Sequence, residues 1–396
     1  MEKAKLWTKE YIITTCINFL VAMNFYLLMI IVSEYAMNKF HTSSSVAGFA
    51  ASIFIIGALL ARVLVGRYIA QVGYKKMLCA GAIAGIVLTL AYFWVNSVVQ
   101  LLVIRFVHGA TFGIISTSTA TIIADIVPKD RRGEGIGYYS LSQTLATAIG
   151  PFLGMFLSRY GSYITIFTAC AVAAALIVVI VPFLSLRKVE LTKEQMKGMQ
   201  SLKLSNFIEP KAVPISMIAL LIYLCYSSIV SFLAVYSKEI ELVDAAGFFF
   251  IVYAVVVLVS RPAVGKAFDK RGEHIIMYPA IAVFGVGMFL FSQSYRSIML
   301  LLAAACIGLG LGAIQSSTQA IAVKVTPQHR MGLANSTYFM LCDVGMGVGP
   351  LLVGFLIPFT GYRGMYAVVA AIALVCILLY FLLHGRKATQ QRPTAD

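Results

Sequence analysis

Apolar residues in this chain gather into long runs, and polar residues collect in the short gaps between them. A bilayer's hydrocarbon core is about 30 Å thick, which roughly 20 apolar residues cross once as a helix. Twelve runs fit: 11–33, 46–66, 77–95, 98–123, 136–158 and 163–184, then 212–235, 246–265, 275–292, 297–322, 333–357 and 362–384. The pattern predicts an all-α integral membrane protein of 12 transmembrane helices. One gap, 185–211, is long and Lys-rich, with Glu190, Glu194 and Glu209. It divides the chain into an N-terminal six-helix bundle (1–184), a cytoplasmic linker (185–211) and a C-terminal six-helix bundle with a short tail (212–396). The linker's amphipathic stretch suits a helix lying on the cytoplasmic leaflet, and a solvated connection is the equal alternative.

Composition agrees with the bilayer as solvent. Hydrophobic residues make up 60% and charged ones 12%, with a mean hydropathy of +0.89, against about a quarter charged in ordinary globular chains. The net charge of +15 would suit nucleic acid if it were clustered, but the basic residues sit in loops between spans, so no nucleic-acid partner is expected. Of 31 Lys and Arg, 23 fall on one side of the alternating loops, five on the other and three within spans. The basic side is the cytoplasmic one by the positive-inside rule, which puts both termini there and the protein in the cell membrane. The seven cysteines show no CxxC spacing, so neither a disulfide framework nor a metal site is expected. The N-terminal MEKAKLWTKEY precedes a full span without a small-residue cleavage site and is read as retained.

The stretch beginning ARVLVGRYIAQVGYKK at Ala61 recurs 199 residues later. Arg62, Gly66 and Gly73 fall on Arg261, Gly265 and Gly272. In the same register Gly109 and Gly113 meet Gly308 and Gly312, Pro128 meets Pro327, Arg131 meets Arg330, Gly133 meets Gly332, and Gly150-Pro151 meets Gly349-Pro350. The chain is thus a duplication, and parallel six-helix repeats with a site between them near midplane are one transporter architecture.

These residues resemble the major facilitator superfamily, and within it the 12-helix drug:proton antiporter-like exporters. The loop motif G-x-L-x-D-R-x-G-R-K is matched by Gly66 to Lys75, with Ala70 at the acidic position; the second copy keeps its acid, Asp269. The fourth-helix pattern R-x-x-x-G is matched by Arg105 and Gly109. The fifth-helix pattern g-x-x-x-G-P-x-x-G-G is matched in part, by Gly150, Pro151 and Gly154, with Ala146 and Met155 departing. The resemblance implies two pseudo-symmetric bundles of the major facilitator fold and alternating access. It implies gating by Arg62, Gly66, Gly73, Arg261, Gly265, Asp269 and Gly272, with Asp269 engaging the start of the fifth helix. Arg105 would lie near the proton path, and the cavity would be lined by helices one, four, seven and ten.

From the residues themselves, a charge inside the bilayer needs a partner or a cavity. Asp343 is the one carboxylate well inside a span, a candidate for carrying a coupling proton or a cationic substrate, or for a structural ion pair. Arg105 and His108 share a helix face, and His108 reads equally as a titrating group or a packed one. Arg62 and Arg261 stand near basic helix ends, where snorkelling is the bland explanation. Gly150, Pro151, Gly154, Gly349 and Pro350 would interrupt their helices and form a seam between the halves. Candidate cavity residues are Asn18, Asn24, Tyr26, Gln143, Tyr223, Tyr226, Gln315 and Gln319, each equally able to tie helices together.

No HExxH or GxxxxGK[ST] pattern is present, so an enzyme is not expected. Nor is a cofactor. The favoured function is proton-coupled export of small amphiphilic molecules by a monomer. Transport of a polar solute such as a sugar, amino acid or metallophore, and a non-transporting membrane sensor, remain as alternatives.

Overall fold

The computed structural model describes residues 5–42, 44–160, 162–186 and 206–385. A leaflet helix in the linker would fall outside these, apart from the linker's two ends. Among the described residues there are twelve long helices and no strand: α1 Lys9–Phe40, α2 Ser44–Val72, α3 Tyr74–Ala91, α4 Val98–Ile126, α5 Arg132–Tyr160, α6 Tyr163–Ile180, α7 Val213–Glu239, α8 Val243–Arg271, α9 His274–Ser292, α10 Ser297–Lys324, α11 Met331–Gly354 and α12 Ile357–Tyr380. Eleven are long and apolar enough to cross a membrane, and α5 is the one not among them. Its first half carries Arg132, Glu134, Ser140, Ser142, Gln143 and Thr144.

Local chemistry sets the ends. Thr8 and Ser97 cap α1 and α4 by accepting from Tyr11 N–H and Gln100 N–H, and Ser162 forms a capping box with Thr165 at α6. Between α2 and α3 the turn is one glycine, and between α8 and α9 it is Gly272 and Glu273; in both the glycine is at positive φ. Gly73 has φ 95° and Gly272 φ 89°, a region that a Cβ disfavours. Helices run well beyond the apolar windows because hydropathy marks where lipid ends, not where hydrogen bonding does. The expected runs 46–66 and 246–265 are parts of Ser44–Val72 and Val243–Arg271. The Gly-Pro pairs do not interrupt their helices: α5 and α11 continue through Pro151 and Pro350. The real break is at Gly361, with φ 64° inside α12.

Contacts group the chain into two compact units. The first takes in residues 1–128, 142–209 and 326–340; the second 129–141, 210–325 and 341–396. Each unit thus includes a short stretch from the other sequence half, the start of α11 in the first and the start of α5 in the second. Within the first unit α2 and α3 pack on α4, α1 packs on α4 and α6, and α3 packs on α6. The second repeats every one of these pairs: α8 and α9 on α10, α7 on α10 and α12, and α9 on α12.

The duplicated glycines make the central pair of each set possible. A Cβ on Gly113 would stand 2.6 Å from the Ala58 carbonyl oxygen, and one on Gly308 2.8 Å from that of Tyr253. Gly109 likewise abuts Phe54, and Gly312 abuts Val257. These four partners are themselves spaced by the 199-residue register.

Candidate functional site

In the second unit Asp269 lies in the last turn of α8, not in a loop. Its two carboxylate oxygens accept from the N–H groups of Gly133 (2.7 Å) and Glu134 (2.9 Å) at the start of α5. Those N–H groups have no partner inside their own helix and carry the positive end of its dipole. Gly265, one turn earlier, lets α8 reach α5: a Cβ there would stand 2.7 Å from Glu134 Cα. Glu134 also pairs with Arg131, Nη2 to Oε2 2.8 Å.

The first unit repeats the crossing with different chemistry. Gly66 of α2 faces Ser336 of α11, where a Cβ would stand 2.5 Å from the Ser336 Cβ. The Ser336 hydroxyl donates to the Arg62 carbonyl. Ile69 packs on Gly332 as Phe268 packs on Gly133, but Ala70 offers no oxygen where Asp269 does.

Arg62 and Arg261 are buried, 3% and 2% exposed, which sets snorkelling aside for both. Each lies ten residues inside its helix end and reaches the central helix of its own unit. Arg62 Nη1 donates to Ser116 Oγ (3.1 Å) and Thr117 Oγ1 (3.4 Å), with the guanidinium over Phe339 at 4.9 Å. Arg261 Nη1 donates to the Gly312 carbonyl (2.5 Å) and Nη2 to Gln315 Oε1 (3.4 Å). Ser116 and Gln315 are equivalent positions of the repeat.

Arg105 is fully buried in α4. Its Nε donates to the Ala50 carbonyl (3.0 Å), the guanidinium lies over Phe54 at 4.6 Å and near the Tyr92 side chain, and Nη1 and Nη2 make no hydrogen bond within 3.5 Å among the described residues. His108 is held between helices, its Nδ1 3.2 Å from the Tyr92 hydroxyl and its Nε2 3.5 Å from Thr89 Oγ1. Tyr92 and Thr89 carried no signal in sequence, because nothing in their spacing marks them as facing α4.

Several candidate cavity residues tie helices to one another. Asn18 Nδ2 donates to Ser142 Oγ (2.7 Å), and its Oδ1 accepts from Thr119 Oγ1 (3.3 Å). Asn24 Nδ2 donates to the Cys170 carbonyl of α6 (3.1 Å). Gln143 Nε2 donates to the half-buried Tyr26 hydroxyl (3.3 Å). Tyr226 stacks on Tyr253 at 5.9 Å, Gln319 is buried, and Tyr223 and Asp343 are half-buried. The Gly-Pro glycines approach helices of their own sequence half: Gly150 abuts Tyr26 of α1, and Gly349 abuts Leu224 and Ser227 of α7. Gly154 is buried in α5.

The duplicated bundle with paired crossings is matched by the sequence model of the Major Facilitator Superfamily over residues 14–350 and again over 243–396. The chain belongs to the Major Facilitator Superfamily. An uncharacterized MFS-type transporter of Methanocaldococcus jannaschii is 26% identical over 340 residues, covering 83% of this chain and 86% of its own. The multi-drug resistance efflux pump PmrA homolog of Lactococcus lactis is 25% identical over 402 residues, covering 98% and 97%. In three dimensions the proton:xylose symporter XylE aligns with a TM-score of 0.76 at 14% identity, over 94% of each chain. The superfamily chain is a multi-pass membrane transporter and not an enzyme.

One further cluster, within the second unit, carried no signal in the sequence. Glu273, between α8 and α9, accepts from Lys324 Nζ (2.8 Å) at the end of α10 and meets His384 Nε2 (2.7 Å) after α12. Burial pushes its carboxyl up, but the hydrogen bonds from His384 and Lys324 outweigh this and hold it down at about 2. A depressed carboxyl adds stability above its ordinary pKa and loses it only as pH falls toward 2. The carboxylate is therefore charged throughout the physiological range.

Proposed function

We propose that this transporter is a proton-coupled exporter of small amphiphilic compounds, working by alternating access in the cell membrane with both termini in the cytoplasm. The orientation rests on the 23-to-five distribution of Lys and Arg. The observation that carries the alternating-access reading is the seating of Asp269 on the N-terminus of α5. Each hydrogen bond to a charged group contributes about 1.5–3 kcal/mol. Such a latch is strong enough to set which state predominates, yet weak enough to be released during a cycle. Gly265, Gly66 and the turns at Gly73 and Gly272 let the two crossings close, and Arg62 and Arg261 tie α2 and α8 to α4 and α10.

Asp343 is the proposed coupling group. It sits half-buried in the middle of α11, where protonation would remove a charge that is costly in the bilayer. Arg105 and the neighbouring His108 are the proposed electrostatic elements on the external side. Tyr26, Gln143, Tyr223, Tyr226, Gln315 and Gln319 are themselves aromatic or polar and uncharged, which suits amphiphilic cargo. The name of the Lactococcus lactis relative, an efflux pump, points the same way. The test is transport of labelled compounds in proteoliposomes with an imposed pH gradient, comparing wild type with Asp343→Asn. Asp343→Asn should lose gradient-driven accumulation at least about tenfold while retaining substrate binding. Equal gradient-driven transport by both proteins would remove Asp343 from the coupling role.

A further inference from the structure

The two copies of the latch differ at the positions where charge matters. In the second unit two carboxylates act: Asp269 on the start of α5, and Glu134 on Arg131. At the equivalent positions the first unit has Ala70 and Leu333, yet it keeps the basic partner, Arg330. An arginine at this crossing without an acid would leave the first copy with no ionic tie of its own.

A carboxylate reaches Arg330 from elsewhere in the chain. Glu209, at the end of the linker, places Oε2 2.5 Å from Arg330 Nε. Its backbone N–H donates to Thr337 Oγ1 of α11 (2.9 Å). Glu209 is 3% exposed, so it is built into the unit and not solvated beside it. Two residues earlier, Phe207 lies under the guanidinium of Arg67 at 4.3 Å, and Arg67 follows Gly66 on α2. Asn206 lines one small cleft with Gly66, Arg67, His329, Arg330 and Leu333. The linker's last residues therefore touch both helices of the α2–α11 crossing.

We infer that Glu209 is the surrogate latch acid of the first repeat, and that residues 206–209 strap α2 to α11 in place of the two acids this copy lacks. The inference rests on the alternating-access reading proposed above. In it Glu209 is a positioning residue: it touches no cargo and acts on which state is populated. Its burial follows from the pairing, since a carboxylate out of water requires a charged or hydrogen-bonded partner. The strap also gives the linker a part in transport, because anything that moves residues 206–209 acts directly on the crossing.

The experiment uses the full chain with the exposed or half-buried Cys16, Cys79 and Cys306 replaced by Ser and a reporter, Leu333→Cys, at the crossing. Labelling by a membrane-impermeant maleimide is followed in inside-out vesicles. Glu209→Gln should speed labelling by about tenfold or more, the scale set by one charge-assisted hydrogen bond. The swap Glu209→Arg with Arg330→Glu should return the rate to within about threefold of the parent, while each single reversal stays fast. Labelling of Glu209→Gln at the parental rate, or a swap as fast as its single reversals, overturns the inference. Asp269→Asn with a Glu134→Cys reporter separates the two readings. If Asp269→Asn speeds labelling and Glu209→Gln does not, only the linker's role fails. If neither does, the latch reading fails with it.

Discussion

A guanidinium with no exposed surface is costly to bury. Arg105 keeps one hydrogen bond from Nε, to Ala50, one ring face, Phe54, and the neighbouring Tyr92 hydroxyl, an incomplete set for five N–H donors. Taking a charge out of water without a full set of partners costs free energy, and sites that break a local rule at a cost tend to be functional. Arg105→Met is therefore expected to raise the midpoint of thermal unfolding in detergent while lowering gradient-driven transport at least about tenfold. A variant that transported normally would make Arg105 a packing residue. The charge and its depth were legible in sequence, whereas Ala50, Phe54 and Tyr92 around it were not. A side chain's partners on other helices are set by helix rotation, which an all-apolar run without an amphipathic period does not encode.

Helix ends were the least legible elements, for a physical reason. The apolar runs ended near Gly66 and Gly265, but backbone hydrogen bonding continues to Val72 and Arg271, so both glycines lie inside helices. That changes what each glycine does. Gly265 serves a close crossing, since a Cβ would meet Glu134 Cα at 2.7 Å; Gly73 serves a turn, with φ 95° and open space around it. Gly73→Ala should cost about 1 kcal/mol of stability through its left-handed backbone and leave the latch intact. Gly265→Ala should instead push α8 from α5, break the Asp269 contacts and raise maleimide labelling of a Glu134→Cys reporter by about tenfold. Labelling raised equally by both would mean that the crossing does not depend on contact at Gly265.

At the scale of the whole chain, the 199-residue register predicts the fold, because equivalent glycines and arginines do equivalent packing in both units. The register also located the asymmetry at Ala70 against Asp269. What it left out was the supply of charge from outside the repeat: Glu209 belongs to the linker, and no spacing relates it to Arg330. The repeated geometry now makes the missing acid testable. Ile69 meets Gly332 as Phe268 meets Gly133, so a carboxylate at position 70 is expected to face the N–H groups of Gly332 and Leu333. Ala70→Asp should add to the first crossing what Asp269 gives the second, slowing labelling of a Ser336→Cys reporter by about tenfold, while Asp269→Asn should speed labelling at its own crossing. Transport should then fall in both variants, since a cycle needs both states within reach and an over-stabilised one is released slowly. A faster-transporting Ala70→Asp variant would mean that opening the first crossing does not limit turnover and that the alanine there has no bearing on the rate.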